Sequence, residues 1–289
     1  VHIVLDEVSR LIDLGHQEIV LAGIFLGAYG HESALRRKQR QLEADPLADL
    51  VSAVATLPGL RRLRLSSLEP GDVTDELLDV YATHPKVLAP HLHLPLQSGS
   101  DEVLRRMNRQ YRVGEYLELI DRVTATLTRN TLPPAITTDI ICGFPGETDE
   151  AFQQTVEIVQ RVGFLHMHVF PWSPRHGTAA ARWLQDAAAS PVVTKRVRDL
   201  MQMENAAEIG LAVAFRSRLI GREVRLFAEQ PDPNRPGHWL GRCDHYALIS
   251  VESDCKRGEF VRAIARRIED DAIVADVVAS RSLPVLNSN

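Results

Sequence analysis

Apolar residues recur at helical spacing in "VLDEVSRLIDLG" (4–15), where Gly15 supplies a C-terminal stop. The next apolar run, "EIVLAG" (18–23), is short and closed by Gly23, as a buried strand would be. This alternation continues along the chain. A helical pattern over 44–59 precedes a strand over 60–70, and "TDELLDVYATHP" (74–85) reads as a helix with Thr74 or Asp75 as its N-cap. "HLHLPL" (91–96) is a strand, a helix starts at Asp101, and a longer helix spans 114–130. "AITTDIICGFPGET" (135–148) is a strand entering a Gly-Pro loop, and the helix over 148–163 has an acidic first turn. "FLHMHVFPWSP" (164–174) is one more strand.

Strands alternating with long helices predict α/β architecture with a parallel sheet. The unusual residues sit where each strand ends: Gly23, then Ser66, Ser67 and Glu69, then Gln97 and Ser98, then Gly143 and Ser173. Parallel α/β folds, and βα barrels above all, place their sites at these ends. Five strands are visible and the text opens on a helix with no strand before it. The first residue is Val rather than Met, so part of a first βα unit is expected to lie upstream.

The pattern changes after residue 180. Residues 190–221 read as one long, partly basic helix. Short strand-like runs follow, "EVRLFAE", "HWLGRCDHYALISVES", "EFVRAIARRI" and "AIVADVV", broken by "PDPNRPG" and "KRG". They predict a small β-barrel. The boundary is placed at 212/213, giving units at 1–212 and 213–278 and an unstructured tail at 279–289.

Composition adds less. Net charge is −5, yet Lys and Arg outnumber Asp and Glu over 195–267 and are outnumbered over 1–194. The basic excess is compatible with a polyanion footprint or with a solvated surface. No run approaches the about 18 apolar residues that span a bilayer, so a cytoplasmic chain with no membrane partner is expected. Cys142, Cys243 and Cys255 are the three cysteines. They match no zinc or iron–sulfur spacing, and reduced, incidental thiols are expected.

Three long motifs are specific in combination. "LHLPLQSGSDEVLRRMNRQY", "TTDIICGFPGETDEAF" and "HVFPWSPRHGTAA" together resemble the methylthiotransferases among the radical S-adenosylmethionine enzymes. The resemblance extends over residues 1 to about 278, and the C-terminal barrel resembles that family's TRAM RNA-binding module. It implies a partial (β/α) radical-SAM barrel with a trailing helix at 1–212 and a TRAM-like unit at 213–278. "LAGIFLGAYG" and "RLSSLEP" favour the branch that thiomethylates C2 of N6-threonylcarbamoyladenosine beside the tRNA anticodon. The isopentenyladenosine branch has a Ser-Pro-His-Pro type turn there, and the branch acting on a ribosomal protein has a Tyr-Pro type turn.

The resemblance implies S-adenosylmethionine and 4Fe-4S clusters as cofactors and the tRNA anticodon stem-loop as partner. The family's Cys-x3-Cys-x2-Cys loop, and the three cysteines that bind its second cluster, do not occur in this sequence. The chain is therefore expected to be an incomplete form, and an open barrel edge would favour self-association. An inactive cofactor- or tRNA-binding remnant is the competing reading, and an unrelated βα-barrel phosphate enzyme would leave the motifs unexplained.

The implied cofactor residues each have a plainer alternative. Gly23 admits close backbone approach, or is a turn glycine. Ser67 and Glu69, with Ser66, could bind an ammonium or ribose, or cap a turn. Gln97 and Ser98 could bond the ribose or methionyl part, or tie the loop to its own backbone. Arg109 shares a helix face with Arg105, beside Arg106, where a solvated surface is the alternative; the family's Met-x-Arg-x-Tyr pattern (Met107, Arg109, Tyr111) points to function. Asp139 and the Gly143–Thr148 loop resemble the adenine-side loop, with Glu147 and Thr148 as helix caps. Phe170, Trp172 and Ser173 line the substrate side, or the aromatics are core. His91/His93 and His166/His168 each share a strand face; they are expected as barrel packing, with no metal site. Arg216, Arg218, Arg222, Arg225, Arg242, Lys256 and Arg257 are the candidate phosphate contacts.

Overall fold

Five parallel strands succeed one another in chain order in the first part of the computed structural model, which describes residues 1–31, 45–207 and 209–278. Strand β1 (Glu18–Leu21) pairs with β2 (Arg62–Leu65). A parallel bridge, Leu63 to Leu88, leads from β2 toward β3 (His91–His93). β3 pairs with β4 (Ala135–Cys142), and β4 with β5 (His166–Pro171). β2 is buried along its length although it reads Arg-Leu-Arg-Leu. Arg62 and Arg64 both donate to the Glu18 carboxylate on β1, Arg64 Nε at 2.8 Å, so the two guanidiniums share one carboxylate beside the core.

Helix α1 (His2–Asp13) precedes β1, and α2 (Pro46–Ala55), α3 (Asp75–Thr83), α4 (Asp101–Arg106), α5 (Val113–Leu127) and α6 (Asp149–Val162) lie in the connections. Their starts follow the sequence signals. Thr74 Oγ1 accepts from Leu77 N–H at 3.0 Å, and Thr148 Oγ1 from Ala151 N–H at 3.2 Å. Gly163 ends α6 in the left-handed conformation, φ 69°. Leu50, Leu63, Leu77, Leu92, Tyr116 and Phe164 share one continuous core behind the strands.

The expected single helix over 190–221 is two helices, α7 (Ser190–Asn205) and α8 (Leu211–Ser217). At the break the Gly210 amide returns to the Ala206 carbonyl at 2.8 Å. A Cβ on Gly210 would overlap the Glu204 carbonyl, so the turn needs glycine.

The chain divides into two compact units, Val1–Arg218 and Leu219–Asn289. The division falls later than 212/213 because α8 packs on α7. The second unit is a six-stranded sheet in the order β6 (Glu223–Phe227), β10 (Phe260–Glu269), β11 (Ala272–Val277), β9 (Leu248–Glu252), β8 (His238–Arg242), β7 (Gln230–Pro231). The run "HWLGRCDHYALISVES" is thus a hairpin, turned at Tyr246 with φ 66°. The sheet curls until Leu226 on β6 bridges Cys243 beyond β8. At that seam a Cβ on Gly241 would overlap the Phe227 carbonyl. The tail at 279–289 lies outside the described residues.

Candidate functional site

β3 ends at His93, and the chain then leaves regular pairing through Leu94, Pro95 and Leu96 before Gln97 rejoins β4 opposite Ile140. Gln97 N–H donates to the Asp139 carbonyl at 2.8 Å, and Ile141 N–H donates to the Gln97 carbonyl at 3.0 Å. Gln97 adopts φ 63°, a region unfavourable for a side-chain-bearing residue. The neighbouring polar atoms fix it there. Thr138 Oγ1 accepts from Leu96 N–H and donates to the Leu94 carbonyl, both at 2.8 Å. Tyr111 Oη donates to the Leu96 carbonyl at 3.0 Å and Tyr116 Oη to the Leu94 carbonyl at 2.9 Å. Both tyrosines are buried by the helical segment that follows.

This construction aims Gln97 into a cavity of 730 Å³ at the strand ends. Arg109, Asp139 and Phe170 also line it, with Trp172 and Ser173 from the end of β5. Arg109 Nη1 donates to Glu69 Oε1 at 2.8 Å, joining the loop after β2 to the cavity wall.

The other expected residues stand elsewhere. Ser98 is buried, and its hydroxyl accepts from Ser100 N–H at 3.2 Å, the loop-holding alternative. Gly23 lies against the Leu26 backbone, and Ser67 is exposed outside the cavity lining. Gly143, φ 78°, donates its N–H to Glu147 Oε2 at 2.6 Å. Glu147 therefore ties its own loop rather than capping α6. Arg106 is a cavity residue rather than a free surface charge: it pairs with Asp186 at 2.9 Å and lies 5.2 Å from the centre of the Trp183 ring. Trp183 was not legible as a site residue, because the stretch after β5 has no periodicity to place it.

On the strand faces, His93 Nε2 lies 3.3 Å from Asp139 Oδ1. His166 Nδ1 lies 2.6 Å from Glu204 Oε1, whose other oxygen accepts from Met167 N–H. Partial burial, then the adjacent His166, push the His168 imidazole below its ordinary range.

The cavity suits S-adenosylmethionine chemically. Asp139 offers a carboxylate to a cationic group, Arg109 a guanidinium to a carboxylate, Gln97 an amide to a hydroxyl, and Phe170 and Trp172 flat surfaces to a purine. The cysteines do not suit an iron–sulfur cluster. Cys142 is buried at the end of β4, where burial pushes its thiol up to about 12, and Cys243 and Cys255 belong to the second unit.

The candidate phosphate contacts divide as well. Arg216 is buried on α8 and Arg218 ends that helix, both in the first unit. Arg225 pairs with Asp244 at 3.0 Å. Arg242 lies 4.3 Å from the centre of the Tyr246 ring. Arg222 is half-buried, and Lys256 and Arg257 are exposed.

The profile of the Radical SAM superfamily matches residues 2–159. The chain is 38% identical over 225 residues to "Threonylcarbamoyladenosine tRNA methylthiotransferase MtaB" of Thermotoga maritima, covering 78% of this chain and 47% of that protein. It is 36% identical over 285 residues to "tRNA-2-methylthio-N(6)-dimethylallyladenosine synthase" of Mycolicibacterium vanbaalenii, covering 94% of this chain and 53% of that one. The chain thus spans about half the length of the curated relatives it matches. Among solved structures, the radical SAM enzyme coproporphyrinogen III oxidase (HemN) of Escherichia coli superposes with a TM-score of 0.50 at 15% identity, over 75% of this chain and 50% of that one, a likeness of fold. The profile match covers more than half of the chain, and the chain belongs to the radical SAM superfamily.

Proposed function

We infer that this chain takes part in tRNA methylthiolation at C2 of N6-threonylcarbamoyladenosine beside the anticodon. In this reading the first unit binds S-adenosylmethionine and the second contacts RNA. The observation that carries it is the cavity at the strand ends, where Gln97, Arg109, Asp139 and Phe170 converge from four segments of the chain. When bound, S-adenosylmethionine would supply the methyl group and, on one-electron reduction by a cluster not held by this chain's own cysteines, the hydrogen-abstracting group. The protein's own residues orient it: Asp139 meets its positive charge, Arg109 its carboxylate, and Phe170 shields the purine from water. In this reading Lys256 and Arg257, exposed in the turn before β10, meet phosphates.

A second reading has its own support. The dimethylallyladenosine relatives match through the second unit, over 94% of the chain. Mass spectrometry of tRNA nucleosides from cells with and without the gene separates the two. Loss of the 2-methylthio form of threonylcarbamoyladenosine is the expected result. Loss of the 2-methylthio dimethylallyl form instead supports the second reading, and no change in either refutes both.

A further inference from the structure

Beside the cavity, three consecutive parallel strands bring together three ligating side chains, of which the cofactor reading uses only Asp139. His93 on β3, Asp139 on β4 and His168 on β5 each offer one ligand atom, and these atoms lie within 4.8 Å of one another. Strand register places them. Asp139 is the direct partner of His168, and His93 is the partner of Thr137, two residues before Asp139 on the same strand face. The cluster therefore follows from sheet pairing and not from loop conformation.

The surrounding groups orient the ligands as outer partners do around a metal. His93 Nδ1 lies 3.0 Å from Thr137 Oγ1, which also lies 3.1 Å from His91 Nε2. Thr137 thus holds the His93 ring through Nδ1 and turns Nε2 toward Asp139 Oδ1 at 3.3 Å, a separation that a metal ion bonded to both at about 2.0–2.2 Å bridges once Nε2 is deprotonated. The His168 ring is fixed edge-on to His166 at 4.5 Å and stacked with Phe170 at 6.3 Å. His166 is in turn anchored on the buried carboxylate of Glu204. Two of the three arginines that line the cavity have their charge offset by a carboxylate, Arg109 by Glu69 and Arg106 by Asp186.

We propose that His93, Asp139 and His168 bind one divalent first-row transition-metal ion, its remaining coordination positions open toward the cavity that Asp139 also lines. Two imidazoles and one carboxylate are a donor set for Zn²⁺, Fe²⁺ or Co²⁺. The site uses no thiol, so it is separate from any iron–sulfur chemistry.

The test is a titration of the chelator-stripped, full 289-residue chain with Co²⁺, followed by its d–d absorption. One saturating equivalent is expected, without a thiolate charge-transfer band. His168→Ala removes it, with circular dichroism confirming the fold, since His168 is an exposed position. Asp139→Asn weakens it at least tenfold, and Cys255→Ser leaves it unchanged. No saturable binding by the wild-type chain, or equal binding by His168→Ala, overturns the proposal.

Discussion

Arg196 on α7 donates to the Glu147 carboxylate at 2.7 Å with both side chains withdrawn from solvent. The same carboxylate accepts the Gly143 amide at 2.6 Å, so one buried pair ties the loop after β4 to the helix following the barrel strands. Burial pushes the Glu147 carboxyl above its ordinary range even though Gly143 and Arg196 act against it. Removing Arg196 leaves the Glu147 carboxylate buried with the Gly143 amide but no cation, whereas removing Glu147 leaves Arg196 its second partner, Asp149, at 2.7 Å. Arg196→Met should cost about 3–5 kcal/mol, read as a lower urea midpoint for the first unit. The double variant Arg196→Met/Glu147→Gln should recover part of the loss.

Gly99, inside "QSGS", lies against α6. A Cβ there would stand 2.5 Å from Thr155 Cα and 2.7 Å from the Gln154 carbonyl, both backbone atoms that cannot yield singly. Its amide also donates to Thr155 Oγ1 at 2.9 Å. Gly99→Ala should destabilise by about 1–3 kcal/mol, measured by thermal unfolding, and weaken whatever binds at Gln97.

In the second unit, Asp232 accepts from Ser250 Oγ at 2.5 Å, Asn234 N–H at 2.9 Å and Arg235 Nη1 at 3.1 Å. Burial alone would raise its carboxyl, but these donors outweigh it and hold the group below its ordinary range. Its contribution is therefore full above the ordinary carboxylate pKa and is lost as pH falls through the depressed folded value. Asp232→Asn should lower stability at neutral pH by about 1–3 kcal/mol. It should also flatten the acid limb of the stability–pH curve, which acid titration followed by circular dichroism checks.

The thiols should react unequally. Cys142 and Cys243 are buried, while Cys255 is partly exposed. Iodoacetamide on the native chain, followed by peptide mass spectrometry, should label Cys255 first, slowly because burial raises its thiol too. The other two should label only on unfolding.

Much of the first unit was legible because its signals are local. Thr74 and Thr148 announce helix starts, Gly15 and Gly163 announce stops, and apolar runs of strand length alternate with them. The site was legible as far as polar residues at strand ends go, but not in their directions. Gln97 stands opposite the buried Ile140, yet it lines the cavity with Asp139 and Ile141 because its φ of 63° breaks the strand alternation. Ser98, one residue on, is buried. Contacts between distant segments left no local trace. Arg106 with Trp183, Glu147 with Arg196, and the gathering of His93, Asp139 and His168 each depend on where whole elements pack. The helix over 190–221 was overextended because one glycine in a helical text is a weak break until its crowding against Glu204 is seen.

Isothermal titration of the chain with S-adenosylmethionine, beside Gln97→Ala, tests the central claim most directly. Saturable binding by the wild-type chain, weakened at least tenfold in Gln97→Ala while thermal unfolding stays unchanged, is the predicted result. Absence of binding, or equal binding by the two chains, would contradict the assignment of the strand-end cavity as the cofactor site.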